Sequence, residues 1–367
     1  MRVPRRPDVL AAVPFAAMAL VTAGDVAAGP DVGLLPLFSV GPAFAAAAGP
    51  PRRAALVGCV AVGLCLAVAW YDGLLDARRG WVAFAAVVGV TAAAVLAAVL
   101  RRRTERELAD ITSVAEAAQR VLLRPVPRTG GPMRIAVSYT SATAAARIGG
   151  DLYEVVPASG GTRVIVGDVQ GKGLEAVETA AVVLAAFREA APEAVMLDEV
   201  GDRLERALNR RLEGEEFVTA ILAEVEPDHT VMLLNYGHPA PLVLRPDAEP
   251  ELAAPDRPAA PLGLADLGPE RPKPHRISLR PGEQLLLYTD GVIEARDECG
   301  VFYPLVERAG LLAEPDPDRA LAALRRDLVA HVGGPLKDDA AMLLLRYREA
   351  VVPAQGPEPG RRQEAES

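Results

Sequence analysis

The stretch GGDLYEVVPASGGTRVIVGDVQGKG, residues 149–173, decides how the rest of the chain is read. Two short runs rich in Val, Ile and Tyr are separated by a Gly-containing turn, which predicts antiparallel strands. Asp151 precedes the first run and Asp168 closes the second, each directly after a glycine. A glycine at such a place lets the backbone and an ion approach closely.

Working outward, MRIAVSYTSA (133–142) reads as an earlier strand, and helical stretches follow at about 173–191 and 197–212. FVTAILAEVE (217–226), TVMLLNYG (230–237) and PLVLR (241–245) are strand-like, and a Pro-rich loop covers about 246–274. EQLLLYTDG (283–291) is another strand, 303–312 and 317–332 are predicted helices, and AAMLLLRYR (340–348) closes the domain. This order predicts an α+β layered domain.

The acids recur where strands end: Asp290 in LLLYTDGVIEARD, then Asp338 and Asp339 in KDDAAMLLL. Any one Asp-Gly pair is an ordinary turn. Repetition of the arrangement in one domain favours a shared site. Carboxylates gathered in one place repel unless divalent cations neutralise them, and oxygen ligands without His or Cys select Mg²⁺ or Mn²⁺. Two such ions sharing a carboxylate lower the pKa of a bridging water and clamp a phosphoryl group.

In their order, GGDLYE, GDVQGKG, EEFVTAILAEV, NYGHPAPLVL, LLLYTDGVIEARD and KDDAAMLLL resemble the metal-dependent PPM (type 2C) serine/threonine protein phosphatases, in particular the bacterial SpoIIE-like branch, over about residues 130–347. The resemblance implies an αββα sandwich, two antiparallel sheets flanked by helices, with two Mn²⁺ or Mg²⁺ ions at one end. It implies that Asp168 bridges the ions and that the carbonyl of Val169 adds a ligand. Asp290 and Asp338 would hold one ion, and Asp151 would contact the other directly or through water. Asp339 matches a position that is an amide in many relatives, so it is either a substitute ligand or a support behind the ligands. Attack is then by metal-activated water, without a phosphoenzyme.

Glu154 stands where many relatives have Asp. The arginine that grips substrate phosphate in eukaryotic relatives has no evident counterpart; Arg147, close in sequence to Asp151, is the candidate substitute. His238 is either a general acid or a structural histidine, and Thr219 and Asn235 are candidates for supporting the sheet or the site. A phosphate-loop reading of GDVQGKGLE fails because a Walker A motif needs four residues between its first Gly and Gly-Lys. A diguanylate cyclase reading of GGDLYE fails because Leu152 stands where a second acid is required.

The chain's 367 residues are 51% apolar but only 4% aromatic, and they segregate. Residues 1–103 are mostly Ala, Val, Leu and Gly, with ten Arg against five Asp. The remainder has 29 basic and 43 acidic residues, which argues against nucleic acid as a partner. Cys59, Cys65 and Cys299 show neither metal-ligand nor disulfide spacing. Apolar stretches at about 9–28, 32–48, 54–71 and 81–100 predict about four membrane spans. Arginines at 2, 5, 6, 52, 53 and 101–103 place the N-terminus and the phosphatase domain on the cytoplasmic side of the plasma membrane by the positive-inside rule. Residues 104–128 form a helical linker in which Leu108, Ile111, Ala115, Ala118 and Leu122 keep heptad spacing. Two readings fit it: a short coiled coil joining two copies, or a single helix packed on its own domain. Residues 129–349 are the phosphatase domain, and 350–367 a disordered tail.

The expected protein is a membrane-anchored phosphatase acting on phosphoserine or phosphothreonine of a cytoplasmic regulatory protein, by analogy an anti-sigma factor antagonist. The alternative of another class is a catalytically silent receptor scaffold that binds a partner through the same fold. A transport role has no support beyond the spans, which lack the ionisable pattern of a pathway.

Overall fold

The closing strand AAMLLLRY is buried along its whole length because alternate residues feed two different cores. Ala341, Leu343 and Leu345 face one core, Ala340, Met342 and Leu344 the other. A strand covered on both faces needs no polar alternation, so its sequence reads as a continuous apolar run.

The structure is a computed structural model that describes residues 9–29, 32–141, 149–211, 216–264 and 271–348. The chain divides into two units at Asp110/Ile111. In the first unit, α1 (Val9–Ala28), α2 (Val40–Ala48), α3 (Pro51–Tyr71) and the start of α4 (Arg78–Leu122) surround a small core of Phe38, Val57, Ala61 and Val87. Among the described residues, two segments are long and apolar enough to cross a membrane, Pro51–Tyr71 and Arg78–Arg106. The other two expected spans differ from each other. α1 is an apolar helix of 20 residues, Val9–Ala28, interrupted by Pro14. The second stretch is a 3-10 turn, Leu35–Ser39, followed by the nine-residue α2. Nine residues rise about 14 Å against about 30 Å of hydrocarbon. Pro36 and Pro50 bound this stretch and stop it from lengthening.

The second unit contains β1 (Thr129–Gly130), β2 (Met133–Thr140), β3 (Leu152–Ala158), β4 (Gly161–Val169), α5 (Leu174–Glu193) and α6 (Leu197–Asn209). They are followed by β5 (Val218–Val225), β6 (Thr230–Tyr236), β7 (Leu242–Leu244), β8 (Glu251–Leu252), β9 (His275–Ser278) and β10 (Gln284–Tyr288). The short α7 (Asp290–Ile293), α8 (Pro317–Val332) and β11 (Ala340–Tyr347) complete it. One sheet runs β1-β2-β11-β10-β7-β8, the other β3-β4-β5-β6-β9, all pairs antiparallel. Their inner faces share a core that includes Ile135, Val164, Val166, Leu233, Leu285 and Leu343. Helices α5 and α6 cover the outer face of the second sheet, and α8 that of the first. This is the α/β/β/α layering expected.

The predicted helix at 303–312 is instead a run of turns and a 3-10 segment, Ala309–Ala313. Pro304 lacks a donor and Gly310 costs about 1 kcal/mol in a helix interior, so the short segment does not propagate. At the end of α4, Leu122 packs against the α5/α6 core while Ala118 is exposed. The side chains of Leu108, Ile111 and Ala115 lie outside the described residues, as do Arg147 and the tail from 350 onward.

Candidate metal centre

Register brings the acids together. In the β3–β4 hairpin Leu152 pairs with Gly167, so one step further Asp151 stands opposite Asp168. In the other sheet Tyr288 pairs with Met342. The β10 chain therefore leaves the sheet at Asp290 where β11 enters it after Asp338 and Asp339. Both sheets present these ends on the same side of the sandwich.

Two glycines permit the crossings. A Cβ on Gly150 would stand 2.6–2.8 Å from Val169, including its backbone N and O, and one on Gly291 would stand 1.8 Å from the carbonyl O of Asp339. Thr289 ties the two sheets together here. Its buried hydroxyl donates to Asp151 Oδ2 at 2.8 Å and accepts from the Ala341 amide at 2.9 Å.

The cluster is electrostatically strained by its own charge. Burial, then the neighbouring Asp290 and Asp338, push the Asp168 carboxyl up to about 7. Burial and Asp168 raise Asp151 well above the carboxylate range. Asp290 is raised by burial, then by Glu294 and Asp338. Among the described residues, Lys172 brings a basic group to the cluster, its ammonium 2.6 Å from Asp338. The chain has only three lysines, and a second, Lys337, is next to Asp338 in sequence.

No three acidic, His or Cys side chains among the described residues already stand in a ligating arrangement. The donors nonetheless fit a hard divalent ion. They are all oxygens, four carboxylates repel one another around one point, and the counter-charge present is a half-exposed lysine that can swing away. Asp168, Asp151, Asp290 and Asp338 belong to this cluster. Asp339 adds its charge to the repulsion on Asp151, and its carboxylate accepts from the Tyr139 hydroxyl and faces Gln119 and Ser141.

His238 lies under the site and is buried. Its Nε2 donates to the Tyr288 carbonyl at 3.1 Å and its Nδ1 accepts from Thr219 at 3.1 Å. Asn235 closes the turn by bonding the His238 backbone twice at 2.8 Å. His238 thus fastens the second sheet to the end of β10, a structural role. Burial lowers its pKa to about 4, so it stays neutral in the native protein. The stability this contributes is complete above about pH 6.5 and is lost as the pH falls through about 4. By size the effect is roughly 3 kcal/mol. We expect His238→Gln to flatten the fall in melting temperature between pH 7 and 4; an unchanged pH profile would contradict this role.

Glu154 pairs with Arg188 of α5, whose Nε lies 2.6 Å away, outside the carboxylate cluster. Sequence reasoning did not find Thr289, Tyr139, Gln119 or Lys172. Thr289 adjoins a flagged Asp and Lys172 lies within GDVQGKG, but Tyr139 and Gln119 carry no local signal.

Beside Asp290 and Asp338 opens a cleft of about 300 Å³ lined also by Glu294, Arg296, Leu336 and Lys337. Arg296 stacks on the ring of Phe302 at 4.2 Å.

The family model described as Stage II sporulation protein E (SpoIIE) matches residues 158–348, just over half of the chain. Among solved structures, the RsbU and RsbW domains of a Mycobacterium tuberculosis protein are 24% identical with a TM-score of 0.51, over 60% of each chain. The SiaA-PP2C domain of Pseudomonas aeruginosa is 19% identical with a TM-score of 0.53, over 68% of this chain and 98% of that one. At these identities the likeness is one of fold.

Proposed function

The chain belongs to the SpoIIE family of PPM-type serine/threonine protein phosphatases, and from that membership we propose that it is a membrane-anchored, metal-dependent phosphatase acting on a phosphorylated regulatory protein. The observation that carries the reading is the group of four mutually repelling carboxylates, Asp151, Asp168, Asp290 and Asp338, at one end of the sandwich. Asp168 would be the carboxylate that the ions share, the Val169 carbonyl would add a further ligand, and Asp290 and Asp338 would hold one ion and Asp151 the other. Bound Mn²⁺ or Mg²⁺ supplies an acidified water and neutralises phosphoryl oxygens. The protein's part is to hold the carboxylates in place: Thr289 fixes Asp151, and the hairpin register fixes Asp168 beside it.

The cleft beside Asp290 and Asp338 is the entry we assign to the phosphorylated side chain. Lys337 on its wall would serve the phosphate-gripping role for which Arg147 was the sequence candidate. A charge-assisted contact is worth about 1.5 kcal/mol or more, which is roughly tenfold in affinity. Lys337→Ala in the full chain is therefore expected to raise KM for a phosphoserine peptide about tenfold with kcat little changed. An unaltered KM would remove Lys337 from the substrate site.

Anchorage rests on α3 and the first part of α4, which are long and apolar enough to span, and we place the phosphatase unit on the cytoplasmic side. By analogy with the RsbU and RsbW names of the Mycobacterium tuberculosis relative, the substrate we favour is an anti-sigma factor antagonist. The test is Mn²⁺-dependent phosphate release from a phosphoserine peptide by the full chain in detergent. Absence of metal-dependent turnover, with metal bound, would favour the silent scaffold.

A further inference from the structure

Gln119 stands in the last turn of α4, in a segment whose composition marks it only as a polar helix. Its side chain is nevertheless buried. Nε2 donates to the Gly149 carbonyl at 3.2 Å and reaches Asp339 Oδ2 at 3.4 Å. Gly149 is two residues before Asp151, and Asp339 directly follows Asp338. One amide thus touches both backbone arms that carry candidate metal ligands, one from each sheet.

The helix end that presents it is itself secured. The Leu122 carbonyl accepts from Arg188 at 2.8 Å, and Leu122 packs against the α5/α6 core. Asp339 is caged by donors from a different direction as well, the Tyr139 hydroxyl at the end of β2 and Ser141 just beyond it. Its amide also accepts no freedom: the N–H donates to Asp338 Oδ1 at 3.0 Å. In a water-poor interior such a network is either fully satisfied or costly, so a displacement of α4 is felt at both arms.

We propose that Gln119 is a positioning residue of the metal centre, holding the Gly149–Asp151 loop and the Asp338–Asp339 loop in register through Gly149 and Asp339. The inference rests on the metal-dependent reading above. It makes the last turn of α4 part of the functional phosphatase unit, and it makes Asp339 a support for Asp338 in place of a ligand.

The test is Mn²⁺ affinity of the full chain in detergent, read from the electron paramagnetic resonance of free Mn²⁺, for the wild type, Gln119→Met, Asp339→Asn and the double variant. Met keeps the shape of Gln and removes the donor. Groups that orient ligands typically change metal affinity 10–100-fold, so Gln119→Met is expected to weaken Mn²⁺ binding at least about tenfold. The metal-free protein should stay folded, with its melting temperature lowered by roughly 2–8 °C for the acceptors left without a donor. Because the two residues act through one contact, the double variant should lose little beyond the worse single one. Wild-type affinity in Gln119→Met, or full additivity with Asp339→Asn, would overturn the proposal while leaving the metal reading intact. If Gln119→Met does not fold, Gln119→Glu is measured, which keeps the length and places a carboxylate against Asp339. A folded Gln119→Glu with wild-type affinity, or failure of both variants to fold, would equally overturn it. A wild type that binds no Mn²⁺ would overturn the metal reading and this inference together.

Discussion

Asp168→Asn is expected to lower Mn²⁺-dependent hydrolysis of p-nitrophenyl phosphate by at least about a hundredfold and to weaken Mn²⁺ binding by a similar factor. Loss of a group that merely orients a ligand costs 10–100-fold, and Asp168 is proposed as the ligand shared by both ions. It sits at the centre of the cluster. Asp290 and Asp338 both raise its carboxyl, and it in turn raises Asp151. An amide of the same shape fills the position without the charge, so the fold should survive. The neutral side chain should even relieve repulsion in the metal-free protein. Retention of wild-type turnover in Asp168→Asn would remove the residue from the reaction.

Arg163→Met is expected to destabilise the phosphatase unit by about 3–5 kcal/mol, the cost of stranding a buried partner. Arg163 is fully buried on β4, on the face turned towards the helices. Its guanidinium donates to the Ala191 and Ala194 carbonyls at 2.9 and 2.7 Å, at the end of α5, and to Val195 at 3.2 Å. It also pairs with the buried Glu224 of β5 at 3.0 Å. A cation at a helix C-terminus satisfies carbonyls that have no intrahelical partner. Removing it orphans those carbonyls and Glu224 together. For a unit of this size the loss lowers the melting temperature by roughly 10 °C. Arg163→Met with Glu224→Leu should recover much of it, because replacing both partners of a buried pair by apolar groups is often neutral. A double variant no more stable than the single would show that the carbonyl contacts, and not the ion pair, carry the effect.

What could be read from the sequence was whatever depends on neighbours along the chain. The strands announce themselves through β-branched runs and glycine turns, and the acids at their ends follow from the same reading. The GGDLYE and GDVQGKG segments are joined by one short turn, so their approach is a local event. What could not be read depends on contacts across the fold. β2 pairs with β11 although some 200 residues separate them, and only that pairing brings Tyr139 to Asp339. Gln119 is separated from Asp339 by 220 residues and carries no motif. Hydropathy marked four apolar stretches, but the helix length in the second is set by Pro36, Gly49 and Pro50, which a window average smooths over. At 303–312 the apolar spacing suggested a helix that Pro304 and Gly310 interrupt.

The account's central claim is that the carboxylate cluster is a working metal centre for phosphate hydrolysis. The most direct test is release of phosphate from a phosphoserine peptide by the full chain in detergent, titrated with Mn²⁺ beside a chelated control. The account predicts turnover that rises with Mn²⁺, saturates, and vanishes on chelation. Turnover indifferent to the metal, or none in a protein shown to bind Mn²⁺, would contradict it.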